Sequence, residues 1–244
     1  MGMNEMIQFV KQLSGRIGSD LYSSVPNQSD PRQIAYIRNL QRELKNKDTL
    51  AIPFEKLPVV IFDIETTGFF PYKGHKLLSI GAVKMQGDKI LEDQTFYSLV
   101  HNETTLSEDI KSLTGLSEDE IKVAPPVQDV LKEFYQFIKS ETLVAHHSSH
   151  EKQFMKHANW TTYKNNFQHR ILDTTFLLKV VEPELKYVSL DDWCSHFGIT
   201  IEKRHHALYD AVATAELWAR SVKCVQEMGF SNLNDVYSHI ANLK

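Results

Sequence analysis

Residues 58–62, Pro-Val-Val-Ile-Phe, form an unbroken apolar run, and Asp63-Ile64-Glu65-Thr66-Thr67-Gly68 follows directly. A short apolar run without alternation predicts a strand buried on both faces, at the centre of a sheet. Asp63 and Glu65 stand two residues apart, so both carboxylates project from one face of the extended chain. They fall at the carboxyl end of that strand, where sites form in sheets of this kind. Two like charges this close raise each other's pKa. A divalent cation removes the penalty, and hard oxygen ligands suit Mg²⁺ or Mn²⁺. For a bare Asp-x-Glu the plain alternative is a pair of solvated acids capping a turn.

The elements around this strand set the fold class. Leu77–Met85 and Lys89–Val100 read as two further strands joined by a turn at Gln86-Gly87-Asp88. Ser107–Leu113 and Ser117–Val123 read as short helices with serine N-caps and acidic first turns. Val127–Lys139 is an amphipathic helix, Thr142–Ala145 a fourth strand and Ile171-Leu172 a short fifth. Helices are expected at Thr174–Val181, Ser189–Phe197 and Ala207–Met228, with Asp173 as an N-cap. Three antiparallel strands followed by strand–helix alternation predict an α/β fold, a mixed five-stranded sheet flanked by helices. The amino-terminal 56 residues differ in character. Met3–Leu13 carries apolar residues at helical spacing, a loop follows over Ser14–Asp30, and Asp30-Pro31 opens a second helix striped by Ile34, Ile37, Leu40 and Leu44. This extension either packs on the main domain, the favoured reading, or binds a partner. Residues 229–244 are expected to form a helical tail.

Composition bounds the function. With 42% hydrophobic residues, 24% charged residues and a net charge of −4, the chain can bury a core but offers no broad basic face. Any nucleic acid would have to be gripped locally. Two cysteines without metal-ligand spacing fit reduced thiols in a cytoplasmic protein, and no apolar run reaches the length of a membrane span. Trp160, Trp193 and Trp218 each fall in or beside a helix pattern and are expected in the core rather than as base-stacking platforms.

Val59-Val60-Ile61-Phe62-Asp63-Ile64-Glu65-Thr66-Thr67-Gly68 resembles the first motif of the DEDDh 3′–5′ exonucleases. That family includes the proofreading subunit of bacterial replicative polymerases, the exonuclease domain of PolC-type polymerases, oligoribonuclease and ribonuclease T. Ile110–Leu116 with Ala124-Pro125-Pro126 is similar to the family's connecting region. Arg204-His205-His206-Ala207-Leu208-Tyr209-Asp210-Ala211 looks like its third motif, with a histidine five residues before an aspartate. Leu143-Val144-Ala145-His146-His147-Ser148-Ser149-His150-Glu151 lies where the second motif belongs, and Glu151 stands in place of the family's aspartate. The resemblance covers about residues 57–222 and implies a ribonuclease H-like domain over 57–228. A zinc site built from His146, His147 and His150 is the competing reading of that stretch. No cysteine is near, and a strand end at His146 breaks the helical spacing.

The resemblance implies hydrolysis at a 3′ end with release of nucleoside monophosphates, using two Mg²⁺ or Mn²⁺ ions roughly 3.5–4 Å apart. By the same resemblance Asp63 bridges both ions, Glu65 and Asp210 complete the site of the nucleophile's ion, and Glu151 supports the other. His205 is the general base, favoured by spacing over His206. Thr66, Thr67, Gly68 and His146 are the expected substrate contacts. The extra methylene of Glu151 makes its carboxylate reach further or fold back. Single-stranded DNA is the expected substrate. An RNA-trimming exonuclease and a catalytically weak binding subunit are the alternatives. No polymerase segment is present in the sequence, so the resemblance implies action alone or docking on a replicative polymerase through residues 1–56.

Overall fold

The computed structural model describes residues 31–242. The helix expected over Met3–Leu13 and the loop Ser14–Asp30 lie outside the described residues. The central strand is β1, Pro58–Thr66. It pairs antiparallel with β2, Leu77–Gln86, which pairs antiparallel with β3, Lys89–Leu99. On its other side β1 runs parallel to β4, Thr142–Ala145, and β4 to β5, Ile171–Asp173. The order β3-β2-β1-β4-β5 is the mixed sheet expected, with the apolar run at its centre.

The pleat of β1 divides the core in two. Val60, Phe62 and Ile64 face α4, Val127–Ile138, and α5, Ser149–Tyr163. Val59 and Ile61 face the opposite layer, α6 at Thr174–Val181, α8 at Ala207–Glu227 and α9 at Leu233–Asn242. Asp63 and Glu65 continue the row of Val59 and Ile61, since side chains of one parity share a face. They therefore point toward α8. That row places the carboxylates against the helix that carries Asp210.

Gly81 sets how close α8 comes. It pairs with Asp63 across β1 and β2, and a Cβ built on it would lie 2.2 Å from the backbone nitrogen of Leu208. Only a residue without a side chain lets the first turn of α8 sit against the sheet at this point.

Two short helices bridge β3 and α4. These are α2, Glu108–Thr114, capped by Ser107, and α3, Glu118–Lys122, capped by Ser117 with Glu120 completing a capping box. The next cap is Ser189, whose hydroxyl accepts from Asp192 N at the start of α7, Leu190–Phe197. Helix α1, Pro31–Asn46, lays Ile37 and Leu40 into the α4/α5 core, and Tyr36 Oη donates to the Tyr135 carbonyl at 3.4 Å. Phe54 and Leu57 fill the opposite core, where Leu233 and Val236 of α9 are fully buried. One expectation about the core fails. Trp193 and Trp218 are buried, but Trp160 is 54% exposed, because its position on α5 turns away from the sheet. Among the described residues no helix is long and apolar enough to cross a membrane.

Candidate active site

The carboxyl end of β1, the start of α5 and the start of α8 meet at one point. Glu65, His205 and Asp210 present ligand atoms that all lie within 4.8 Å of one another. Glu65 and Asp210 are buried, and Glu151 is only 4% exposed. Asp63 is partly buried and shares the field of the other acids. Burial pushes its carboxyl well above the usual range, and Glu65, Asp210 and Glu151 add repulsion. Burial and Asp210 push Glu65 up to about 8. Burial raises Glu151 to about 8 as well, with Asp173 and Glu65 adding to it. Asp210 rises to about 6, again through burial, and is held lower than the others by the Arg204 guanidinium and the His205 N–H. A cluster of acids that desolvation drives toward neutrality is held ionised most readily by cations.

Two oxygens sharpen the point. Glu151 Oε2 and Asp210 Oδ1 are buried without a hydrogen-bond partner. Buried polar atoms are nearly always paired, so such orphans need an explanation. Their hard carboxylate chemistry fits Mg²⁺ or Mn²⁺. The other Asp210 oxygen is engaged. It accepts from His205 N at 3.0 Å and from an Arg204 guanidinium nitrogen.

Glu151 stands in the first turn of α5, buried within the field of Asp63 and Glu65. His205 sits at φ 59, the left-handed region, and burial together with Arg204 holds its ring pKa below the ordinary 6.5. That conformation turns the ring toward Glu65 and Asp210. His206, the competing histidine, stacks on Tyr97 with ring centroids 4.4 Å apart.

The expected substrate contacts fall into two groups. Thr66, Thr67 and Gly68 line the rim just past Glu65. Thr66 Oγ1 donates to the Gly68 carbonyl at 2.9 Å and meets His150 Nε2 at 3.4 Å. Thr67 N donates to the Lys76 carbonyl, and Lys76 N donates back to Thr67 Oγ1, each at 2.9 Å. These bonds close the 67–76 loop. Gly68 has φ 148, and a Cβ there would meet the His75 ring at 2.5 Å. His146 stands apart from the rim. Its Nε2 lies 3.2 Å from the Val188 carbonyl and its Nδ1 2.6 Å from Thr174 Oγ1. A carbonyl can only accept, so Nε2 carries the proton and Nδ1 accepts from the threonine hydroxyl. Burial, which pushes this ring down to about 4, agrees with a neutral imidazole. His146 thus ties the end of β4 to the loop before α7, and does not join the carboxylates.

Two further residues organise the site, of which sequence reasoning assigned no role to Arg204. Arg204 joins Asp210 to Asp191 on α7, its Nε donating to both Asp191 oxygens at 2.9 and 3.0 Å. Asp191 is 13 residues upstream, beyond any helix-spacing signal. Asp173, the expected N-cap with a further role in ordering the site, caps α6 through Thr175 N at 3.0 Å. It also accepts from Ser148 N at 2.8 Å, which fixes the turn before Glu151.

A mixed sheet in this order with acids from β1, α5 and α8 at its centre defines the ribonuclease H-like class. The solved structures agree in fold. The nuclease domain of 3′hExo, a DEDDh family member bound to rAMP, superposes with a TM-score of 0.59 at 19% identity, covering 68% of this chain and 92% of that one. Cell-death related nuclease 4 gives 0.60 at 17% identity, covering 69% and 64%. The profile of the RNase_T family, described as exonuclease, matches residues 60–218, and the chain belongs to this family, in its DEDDh group. Among curated proteins it is 32% identical over 211 residues to a DNA polymerase III subunit epsilon-like protein of Rhodobacter capsulatus, covering 86% of this chain and 30% of the relative. It is 32% identical over 180 residues to the PolC-type DNA polymerase III of Bacillus subtilis, covering 72% of this chain and 12% of that polymerase. The chain thus spans a third or less of the length of these relatives.

Proposed function

We propose that the chain is a metal-dependent 3′–5′ exonuclease acting on single-stranded DNA and releasing nucleoside 5′-monophosphates. The observation that carries this reading is the convergence of Glu65, His205 and Asp210 within 4.8 Å, beside the orphaned oxygens of Glu151 and Asp210. Asp63, Glu65, Asp210 and Glu151 would hold two Mg²⁺ or Mn²⁺ ions. Bound there, the ions would supply positive charge for the attacking water and for the leaving 3′-oxygen. The side chains do the rest. His205 takes a proton from the water as its oxygen bonds to the terminal phosphorus. The bond from that phosphorus to the 3′-oxygen of the penultimate nucleotide breaks, and the departing oxygen takes a proton from solvent water. A neutral imidazole is needed for the first step, and the lowered pKa of His205 keeps it neutral at pH 7. Arg204 holds Asp210 in register with the loop that bears His205.

The curated relatives are DNA polymerase III proteins, which supports DNA over RNA and a polymerase as the partner in the cell. The test is a single-stranded DNA oligomer labelled at its 5′ end, beside its RNA counterpart. A ladder shrinking from the 3′ end on DNA, absent with EDTA, is the expected result. A ladder on RNA alone would replace the substrate, and internal cuts or no cuts would overturn the reading.

A further inference from the structure

The family site takes up the rim formed by residues 66–68. Beyond it the surface does not become bland. Tyr72 is 69% exposed and Trp160 54% exposed, an unusual display for large aromatic side chains. Both line one open groove of about 660 Å³, completed by Lys156, Asn166, Phe167 and Gln168. Tyr72 belongs to the 3₁₀ turn Pro71–Lys73 in the loop closed by Thr67 and Lys76, so its position is built rather than free. It meets His157 of α5 edge-on at 5.2 Å. Lys73 holds its ammonium 4.8 Å from the centre of the Phe70 ring on the same turn.

The charge at the groove is basic. Lys156 lines it and Lys73 follows Tyr72 on the turn, in a chain of net charge −4. Glu151 is buried in the carboxylate cluster and does not face the groove. Aromatic faces interleaved with lysines are the chemistry of single-stranded nucleic acid, in which bases stack and phosphates are neutralised. A protein partner would call for a continuous apolar patch, and here Asn166 and Gln168 interrupt it.

Helix α5 links the groove to the carboxylate site. It opens at that site and passes Lys156 before it reaches Trp160. Trp160 lies nine residues beyond Glu151, about 14 Å along the helix. Nine residues also turn the helix through about 180°, so the strand would round α5 on the side of Tyr72 and His157 and take at least about four nucleotides at a ~3.4 Å rise.

We propose that the groove between the Pro71–Lys73 turn and α5 is a stacking track for the strand upstream of the scissile 3′ end, with Trp160 and Tyr72 as base platforms and Lys156 as a phosphate contact. The proposal rests on the exonuclease reading for its polarity but not for its binding chemistry. It supplies the local grip that the overall acidic charge denies.

The experiment is equilibrium binding of 5′-fluorescein thymidine trinucleotide and dodecamer to the intact chain in EDTA, by anisotropy. The dodecamer is expected to bind at least tenfold more tightly than the trinucleotide. Trp160→Ala and Tyr72→Ala should each weaken the dodecamer by roughly 5- to 100-fold, the range measured for one stacking platform. Lys156→Glu should weaken it and flatten its salt dependence. In the unmodified chain Trp160 is exposed while Trp193 and Trp218 are buried, so the dodecamer should quench tryptophan fluorescence and the trinucleotide should not. Equal affinity for the two lengths, or aromatic variants that bind the dodecamer like wild type, would overturn the track and leave a protein as the groove's occupant. Cleavage of the same oligomers with Mn²⁺ is read separately. Tight dodecamer binding without cleavage would remove the exonuclease reading and keep the track. Cleavage with no length preference would do the reverse.

Discussion

Glu151 departs from the family pattern within the carboxylate set, as His147 and His150 do beside it, and the structure keeps it buried among the other acids. It is 4% exposed in the field of Asp63 and Glu65, with Oε2 unpartnered. Charge rather than length is what the proposed metal site would require at this position. Glu151→Asp is expected to keep activity within tenfold of wild type, while Glu151→Gln loses a hundredfold or more. A Gln variant of full activity in a metal-dependent nuclease assay would show that this carboxylate does no work. The residue-level reading had mixed reach. Asp63, Glu65, His205 and Asp210 were legible because they sit at fixed spacings inside motifs. Arg204 was not, since its partner Asp191 lies on another helix. The bonds of His146 to Thr174 and Val188 were not legible either, because those partners come from distant segments.

At the scale of elements, the site depends on how α8 meets β2. Asp210 reaches the β1 carboxylates because the backbone of Ala207 and Leu208 rests directly on Gly81. In Gly81→Ala the new methyl group would press on backbone, which yields less easily than a side chain. Overpacking of this kind costs about 1–3 kcal/mol, and a shift of about 1 Å in a catalytic group can cost a hundredfold in rate. The variant should melt several degrees lower and lose most of its activity. An unchanged melting temperature and rate would show that α8 is not held by this contact. The strands and most helices were legible from apolar periodicity and serine caps. Helix α5 was harder, because its start is crowded with His146, His147 and His150, and its exposed Trp160 breaks the amphipathic pattern. The contact of Gly81 with α8 had no local signal at all, being a crossing of two elements more than a hundred residues apart.

For the whole molecule, burying several acids together is a cost that binding a cation relieves. Glu65 and Glu151 have folded-state pKa values of about 8 against 4.5 for the ordinary group. The folded chain therefore holds these protons more tightly than the unfolded chain. Their contribution to stability is fully present below pH 4.5 and is lost as pH rises toward 8. In EDTA the melting temperature should fall across that window. Mg²⁺ or Mn²⁺, which bind the ionised carboxylates, should raise it, and raise it more at pH 8 than at pH 6. A melting temperature indifferent to metal at pH 8 would argue against a metal site. Net charge, the coarsest feature of the sequence, was the least informative. It excluded a broad basic face and left nucleic acid to be gripped locally, while the groove beside α5 sets Lys156 with Tyr72 and Trp160. The measurement that bears most directly on the central claim is release of nucleoside 5′-monophosphate from single-stranded DNA as Mn²⁺ is titrated into metal-free protein, wild type beside Asp63→Ala. Saturable, metal-dependent release by wild type and a loss of at least a thousandfold in the variant are expected. Release that persists in EDTA, or that survives Asp63→Ala undiminished, would contradict the account.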